Sequence, residues 1–391
     1  MYDQPTITTF KFQTAGMIVV GSKSVFTLPE QLKMFGNVHS VLLLTDTIMM
    51  ELGVISEIEK QFNDQGITMS VITGVRQEPS IQNIKEIFAE IGKESFDVII
   101  GLGGGSILDT TKFLSVLMTN SIPFEELMGT EIKKPGIPMV LIPTTSGTGS
   151  EVTPNAIVTL PEEELKVGIV SRYFLPQLVI LDPVLTKTLP KSMTAATGMD
   201  AFTHAFESYI SNKANPMSDM FALESIREIS QSIETAYNDG LNLKAREKML
   251  LGSMYGGMAL TGSGTAAVHA LAYPLGGKFN IPHGIANAML LPHVTEFNLD
   301  AISGRLSKVA QAMGLIANSN LEDVNVADLV ISTINRWTEE LHIPQNLSVY
   351  GVSQSDIPTL SVAASKVTRL LNNNPKSMGI KEIEMIYSKL F

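Results

Sequence analysis

The first half of the chain alternates short apolar runs, rich in β-branched residues, with longer amphipathic stretches. The apolar runs are VLLLT at 41–45, ITMSVI at 67–72, FDVIIG at 96–101, PMVLI at 138–142 and LVIL at 178–181. Helical periodicity fills the interval up to about Gln65 and begins again at Ser80. Strands that alternate with helices in this way predict a mostly parallel sheet with helices on both faces.

The pattern changes after Asp182 and Pro183, where helical periodicity begins to dominate. The helical stretches include MDAFTHAFESYI, DMFALESIREISQSI, REKMLLGSMYGGMA and ISGRLSKVAQAM. We therefore predict two domains, an α/β domain over residues 1–185 and an all-helical domain over residues 186–391. Since no repeat or low-complexity linker separates them, we expect the domains to pack directly with a cleft between them.

Composition and charge narrow the class of protein. The 391 residues are 44% hydrophobic and 17% charged, a balance typical of a folded two-domain protein. A formal net charge of -11 without basic clusters disfavours nucleic acid or an anionic membrane as the main partner. The chain has no cysteine, so any metal chemistry must use His, Asp and Glu. Without a basic leader or a membrane-spanning apolar run, we expect a soluble, cytoplasmic protein that acts on small molecules.

Two turns that follow predicted strands have the composition of a ligand-binding loop. IIGLGGGSILDTTK at 99–112 runs through a glycine triplet into a helix, and the N–H groups and dipole of such a helix N-terminus favour a phosphate. The standard dinucleotide fingerprint would need glycine at Ser106, and a turn that only packs helix on strand is an equal alternative. PTTSGTGSEVT at 143–153 offers hydroxyl groups to a ligand rich in acceptors, although a plain Ser/Thr loop has the same composition.

Asp46 directly follows the run VLLLT and is a third candidate contact for a nucleotide. A carboxylate just past an early strand accepts hydrogen bonds from an adenosine ribose and repels a 2′-phosphate, which predicts a preference for NAD over NADP. Asp is also a frequent N-cap of helices. Both interpretations can hold together.

Histidines cluster around the stretch HALAYPLGGKFNIPHG at 269–284. Candidate metal ligands are Asp200, His204, His269 and His283. The first two lie one helical turn apart, and Tyr273 follows His269 at the same spacing on a second helix, which Pro274 ends or kinks. Three imidazoles and one carboxylate suit Fe²⁺ or Zn²⁺ better than Mg²⁺. Because a single histidine is more often a hydrogen-bonded core or surface group, the residues alone leave the metal site a hypothesis.

Taken together, these motifs resemble the iron-containing alcohol dehydrogenases, a metal-dependent family. The motifs that carry the resemblance are GGGSILDTTK, PTTSGTGSEVT, LDPVLTKTLP, TGMDAFTHAFESY, HALAYPLGGKFNIPHG and NNNPKSMGIKEIEMIY, in the family's order. The resemblance implies a dehydroquinate-synthase-like fold and NAD(P)-linked hydride transfer between nicotinamide and a small primary alcohol or aldehyde. It also implies a metal that acts as a Lewis acid and a homodimer or larger homo-oligomer.

The family's functional residues carry over to matching positions of this chain. The resemblance implies that the metal, iron first and zinc second, is bound by Asp200, His204, His269 and His283. It implies dinucleotide contacts at Asp46, Gly105, Ser106, Thr144, Thr145, Thr153, Asn155 and Lys166. From the same turn and loop we add Gly103, Gly104, Asp109 and Thr148. The four ligands and Tyr273 form the expected catalytic set.

Three departures from the family's pattern fall close to the expected site. Tyr273 stands where many members have a second histidine, and Glu78 stands where many have asparagine. Gly262, Ser263 and Gly264 are small where a bulkier aromatic residue is frequent. We therefore expect a reshaped substrate pocket. We favour Tyr273 as a wall of that pocket, with a proton donor as the alternative.

Three other functions fit parts of the sequence. A non-redox lyase resembling dehydroquinate synthase needs several basic side chains for a phosphorylated acid, but Lys278 is the only one inside HALAYPLGGKFNIPHG. A zinc polyol dehydrogenase of the same superfamily typically has fewer than four metal ligands. A metal-bound NAD sensor without turnover is the third alternative, and it differs from an enzyme in giving no cofactor reduction with simple alcohols.

Overall fold

A computed structural model describes residues 9–92, 94–121, 123, 131–160, 165–316 and 323–391. Its strands are β1 Met17–Val20, β2 Ser40–Leu44, β3 Thr68–Ile72, β4 Val98–Gly103, β5 Met139–Pro143, β6 Asn155–Leu160, β7 Leu165–Val170 and β8 Leu178–Leu181. Six of them form one parallel sheet in the order β1-β8-β5-β4-β2-β3. The other two, β6 and β7, pair as an antiparallel hairpin. The predicted parallel sheet is confirmed.

Helices cover both faces of the sheet, as the alternating sequence pattern predicts. They are α1 Leu28–Gln31, α2 Thr47–Glu51, α3 Val54–Asn63, α4 Ile81–Ile91 and α5 Gly105–Leu117. Along β2, Leu42 and Leu44 belong to the core shared with α4 and α5, whereas Val41 and Leu43 belong to the core shared with α1 and α3. This division follows from the strand geometry, in which successive side chains point to opposite faces.

The register of the strands brings the predicted nucleotide motifs together. Leu44 of β2 lies opposite Gly101 of β4, and Gly103 of β4 lies opposite Pro143 of β5. Because all three strands run in one direction, their carboxyl ends lie at the same edge of the sheet. The segments that begin with Asp46, the glycine triplet and the loop after Pro143 therefore emerge side by side, at the edge where open α/β sheets bind ligands.

After Leu181 the described part of the chain contains helices and no strand. They are α6 Lys191–Ile210, α7 Pro216–Ser230, α8 Ile233–Asn238, α9 Leu243–Ser263, α10 Ala267–Phe279, α11 His283–Ala312, α12 Asp323–Glu340, α13 Ile357–Ser365, α14 Thr368–Leu371 and α15 Ile380–Ser388. One apolar core joins most of them, with the Phe202 ring edge-on to Trp337 at 5.2 Å. The predicted helical second domain is confirmed. The boundary predicted at residues 185 and 186 falls between β8 and α6 and stays a prediction.

Three features differ from the sequence pattern or were not predicted by it. The sequence analysis predicts neither β1, which has four residues and pairs only with the distant β8, nor the β6–β7 hairpin. Pro274 does not end its helix, because α10 continues to Phe279. The surrounding turns of α10 are buried in the helical core, and this packing offsets the one backbone hydrogen bond that proline removes.

None of the helices in the described ranges is long and apolar enough to cross a membrane. The first eight residues of the segment expected to lack a targeting signal lie outside these ranges.

Candidate metal centre and cofactor cavity

A cavity of about 1120 Å³ lies between the sheet edge and the helical domain. From the α/β side it is lined by the predicted residues Asp46, Gly104, Gly105, Ser106, Asp109, Thr144, Thr145, Thr148, Thr153, Asn155 and Lys166. From the helical side it is lined by Asp200, His204, His269, Tyr273 and His283. Gly103 is the one predicted residue that does not line it. As the last residue of β4, Gly103 has no room for a Cβ, which would lie 2.3 Å from the Ile107 side chain.

The four predicted metal ligands converge on the Asp200 carboxylate. Its Oδ1 lies 3.8 Å from Nε2 of His269, 3.8 Å from Nε2 of His283 and 4.0 Å from Nε2 of His204. Ligand atoms of Asp200, His269 and His283 all lie within 4.8 Å of one another. The His204 ring stacks on His269 at 4.7 Å. Atoms bound about 2.1 Å from one ion lie roughly 3.4 Å apart in a tetrahedral site, so this cluster needs little rearrangement to bind a cation.

The amide of Asn287 supplies an independent test of whether the cluster suits a cation. Its Nδ2 lies 2.7 Å from Oδ1 of Asp200 and 3.2 Å from Nε2 of both His269 and His283. An amide nitrogen has two hydrogens and cannot donate to three acceptors at once. The Asn287 Oδ1 is buried without a hydrogen-bond partner among the described residues. The carboxylate oxygen and the two imidazole nitrogens therefore converge without enough hydrogens to satisfy all three. Such a set of oxygen and nitrogen ligands suits a divalent cation.

Glu207 fixes the orientation of His269 by binding the ring nitrogen that faces away from Asp200. Its buried carboxylate accepts hydrogen bonds from Nδ1 of His269 at 2.6 Å, from the Ala266 backbone at 2.9 Å and from the Val268 backbone at 2.6 Å. Because Nδ1 of His269 carries the proton, its Nε2 lone pair points at the cluster. A carboxylate behind a metal-binding histidine orients the ring and raises its basicity.

His204 is oriented by the hydroxyl-rich loop after β5, residues 143–153, rather than by a carboxylate. Its Nδ1 lies 3.2 Å from the carbonyl oxygen of Gly147, which accepts a hydrogen bond from Nδ1–H and leaves Nε2 facing Asp200. Gly147 can approach this closely only without a side chain, since a Cβ there would lie 2.6 Å from Thr197. The loop after β5 therefore contacts the metal centre directly.

Burial sets the protonation of the cluster. It lowers the pKa of His283 to about 3, with charge on His269 and Lys166 acting in the same direction. Burial also lowers the pKa of His204. It also raises the pKa of Asp200, but the polar groups that converge on the carboxylate, the three imidazoles and the Asn287 amide, favour its ionised form and keep that pKa below the ordinary value. Two neutral imidazoles beside an ionised carboxylate are in the protonation state that binds metal.

The glycine turn presents an open helix N-terminus to the cavity. Gly104 is the N-cap of α5, and no side chain caps this end of the helix. Gly105 needs its small size because a Cβ there would lie 2.7 Å from the Thr148 side chain. Ser106 accepts a hydrogen bond from the Glu78 backbone at 3.0 Å. Uncapped N–H groups on a helix of this length suit an anion such as a pyrophosphate.

Buried charges hold the hydroxyl-rich loop in place. Lys112 donates to Ser150 at 2.7 Å and to the Asn155 carbonyl at 2.5 Å. Both oxygens of the Asp109 carboxylate accept, one from Ser150 at 2.5 Å and the other from the Ile157 backbone at 2.9 Å. Asp109 therefore lines the cavity with its hydrogen-bonding capacity already used inside the protein. The cofactor contact predicted for it stays a prediction.

Asp46 and the Glu78–Lys166 pair lie along the α/β wall of the cavity. One oxygen of Asp46 accepts from the Met49 backbone at 3.0 Å, so Asp46 caps α2. Its second oxygen has no hydrogen-bond partner among the described residues. Lys166 donates to Glu78 at 2.6 Å, and Glu78 has a left-handed backbone with φ of 53°. The position where the family often carries asparagine thus bears an ion pair.

Tyr273 borders the metal centre through its ring. The ring centroid lies 5.8 Å from that of His283. Burial raises the pKa of the phenol, while the nearby Arg369 lowers it in part. A buried phenol with a raised pKa is a poor general base at neutral pH. Gly262, Ser263 and Gly264 also line the cavity.

The sequence analysis missed two residues of this centre that its own spacing rule would have found. Glu207 follows Asp200 by two helical turns and His204 by nearly one, so all three share a face of α6. Asn287 follows His283 by one turn on α11.

The chain matches a known family in both halves. Residues 15–183 match the iron-containing alcohol dehydrogenase family, and residues 194–391 match the C-terminal part of the same family. It is 36% identical to long-chain-alcohol dehydrogenase 1 of Geobacillus thermodenitrificans (strain NG80-2), over 95% of this chain and 94% of that protein.

Solved structures agree with the sequence matches. A crystal structure of 1,3-propanediol oxidoreductase superposes with a TM-score of 0.93 at 34% identity, covering 98% of this chain and 100% of that one. Sulfoacetaldehyde reductase from Bifidobacterium kashiwanohense in complex with NAD⁺ superposes with a TM-score of 0.88 at 25% identity, covering 98% and 99%. The chain therefore belongs to the iron-containing alcohol dehydrogenase family, whose members are oxidoreductases acting on alcohols and aldehydes.

Proposed function

We propose that this protein is an NAD-linked dehydrogenase that interconverts short primary alcohols and aldehydes with the help of bound iron, with zinc as the second choice. The observation that carries the proposal is one cavity holding both the Asp200, His269 and His283 cluster and the uncapped N-terminus of α5. One group suits a divalent cation and the other a pyrophosphate. A hydride-transfer enzyme needs both within reach of one substrate.

The roles of the chain's residues follow from their positions. Asp200, His204, His269 and His283 would hold the cation, which supplies Lewis-acid polarisation of the substrate oxygen. The α5 N-terminus and the hydroxyl-rich loop orient the dinucleotide, and the walls of the cavity exclude water. NAD⁺, when bound, would supply the hydride acceptor for alcohol oxidation, whose balance is alcohol and NAD⁺ to aldehyde, NADH and one proton released to solvent.

The relatives support parts of this proposal. The named activities include a propanediol oxidoreductase and a long-chain-alcohol dehydrogenase, and a solved relative has NAD⁺ bound. From the family resemblance we further propose a homodimer or larger homo-oligomer located in the cytoplasm. A NAD sensor without turnover is the alternative, and reduction of NAD⁺ on addition of 1-propanol separates the two.

Removal of a ligand should abolish metal binding and activity together. We expect His269→Ala and His283→Ala each to lose most of the bound metal, since neither leaves a neighbour to replace the imidazole. Elemental analysis of chelator-free protein, with NADH formation from 1-propanol, measures both quantities. His293→Ala is the matched control, because His293 lies on the same helix as His283 but outside the cavity. If both variants kept their full metal content, His269 and His283 would not be metal ligands.

Glu207→Gln should weaken metal binding while leaving the fold intact. The substitution removes the charge behind His269 but keeps an oxygen that can accept from the backbone. We expect metal affinity to fall about 10- to 100-fold, as for other groups that orient a histidine ligand. Competition with a chelator measures the change. Glu151→Gln is the control, since Glu151 is about equally buried and does not belong to the metal cluster. Equal affinities in wild type and Glu207→Gln would reduce Glu207 to a structural role.

Asp46→Asn should relax the cofactor preference. Asparagine keeps the oxygen that caps α2 and removes the charge that repels a 2′-phosphate. We expect the ratio of kcat/KM for NAD to kcat/KM for NADP to fall by about tenfold. Asp46→Gly, which also removes the cap, should shift the ratio in the same direction and lower the melting temperature. An unchanged ratio in both variants would leave Asp46 as a helix cap alone.

Tyr273→Phe separates a pocket wall from a proton donor. The substitution keeps the ring against His283 and deletes the hydroxyl. Because burial raises the pKa of this phenol, we expect a modest change in KM with kcat largely retained. Steady-state kinetics with 1-propanol and propanal measure both constants. A fall in kcat of about 10²-fold or more would place the hydroxyl in the proton transfer.

A further inference from the structure

Arg369 lies on α14, which packs against α10, and lines the helical side of the cavity. Its guanidinium lies within hydrogen-bonding reach of the Tyr273 hydroxyl. The Tyr273 ring in turn lies 5.8 Å from the ring of His283. Arg369 is therefore separated from a metal ligand by the width of one aromatic side chain.

The charge of Arg369 is not neutralised by a neighbouring carboxylate. Two other basic side chains of the cavity are paired, Lys166 with Glu78 at 2.6 Å and Arg76 with Glu86 at 3.1 Å. Within the described part of the chain, no carboxylate lies within 4.0 Å of the Arg369 guanidinium. A cation facing a cavity without a counterion is a site at which an anion binds favourably.

The strand wall beside Arg369 carries a glycine, which keeps side-chain atoms away from the guanidinium. Gly168 of β7 lines the cavity, and a Cβ added to it would lie 3.4 Å from Nη2 of Arg369. Any larger side chain at this position would compete with a ligand for the guanidinium. Arg369 belongs to the helical domain, whereas the anion-binding end of α5 belongs to the sheet edge. The two positive elements therefore lie on different walls and suit different anions.

We propose that Arg369 binds an oxyanion at the far end of the substrate, so that the enzyme prefers short hydroxy and oxo acids to neutral alcohols and aldehydes. The proposal rests on the function proposed above and names its substrate class. The planar fork of arginine pairs with a carboxylate or a sulfonate through two parallel hydrogen bonds. Because Arg369 is exposed to the cavity solvent, we expect a preference of about 10- to 100-fold rather than absolute specificity.

The first test compares charged and neutral alcohols in the metal-loaded wild-type enzyme. The pairs are 3-hydroxypropanoate with 1-propanol and 2-hydroxyethanesulfonate with ethanol, so that the two arms distinguish a carboxylate from a sulfonate. We expect one of the charged substrates to have a KM about 10-fold or more below that of its neutral partner, at similar kcat. Added salt should raise the KM of the charged substrate only. Equal KM values in both pairs would overturn the proposal.

The second test assigns the effect to Arg369. Arg369→Gln should raise the KM of the charged substrate about 10-fold or more and leave the neutral substrate and NAD unaffected, while Arg369→Lys should retain part of the preference. Lys213→Gln is the matched control, because it removes one exposed positive charge from the same cavity. An equal loss in Lys213→Gln, or a raised KM for NAD in Arg369→Gln, would overturn the assignment.

The two proposals fail in different ways. Turnover of neutral alcohols without any preference for charged ones contradicts the role of Arg369 and leaves the dehydrogenase function standing. Absence of turnover with every alcohol and aldehyde contradicts the dehydrogenase function, and the substrate class with it.

Discussion

The buried carboxylate of Asp200 is the group on which the rest of the site depends. An ionised carboxylate in the interior is costly unless positive charge or hydrogen bonds compensate it. The structure surrounds Asp200 with three imidazoles and the Asn287 amide. Burial holds His204 and His283 neutral, so they supply lone pairs and no charge. The charge that would balance Asp200 is therefore that of a cation bound by the cluster.

The two domains meet where glycines allow backbone to touch backbone. A Cβ on Gly149 would lie 2.6 Å from the Gly257 backbone of α9, and Gly147 contacts both Thr197 and His204. The loop that lines the α/β wall of the cavity is thus the same loop that orients His204. Its position is coupled to α6 and α9 through contacts that no larger residue could make.

Strands and helices with a regular hydrophobic pattern could be predicted from the sequence more completely than the contacts between them. The parallel strands and the helical second half follow from local hydrophobic pattern, and LVIL at 178–181 matches β8 residue for residue. The convergence of Asp200, His269 and His283 depends on how three helices pack, which spacing along one helix cannot show. The residue types alone left that grouping a hypothesis, which the family resemblance then supported. The β6–β7 hairpin and the unpaired charge of Arg369 depend on tertiary packing, and neither pattern nor resemblance indicated them.

A buried ionic network holds the hydroxyl-rich loop in place, and this explains why the loop can present hydroxyl groups to the cavity. Lys112, Asp109 and Ser150 satisfy one another inside the domain, and a half-satisfied network would destabilise the loop. Glu151 is the exception, because its Oε1 has no partner among the described residues and burial raises its pKa to about 7. Its folded pKa lies above the unfolded value near 4.5, so the free energy of unfolding falls as pH rises from about 4.5 toward 7, where the buried carboxyl has to ionise. The protein thus retains a group that destabilises the fold near neutral pH next to a loop that lines the cavity, as is common where function constrains a site.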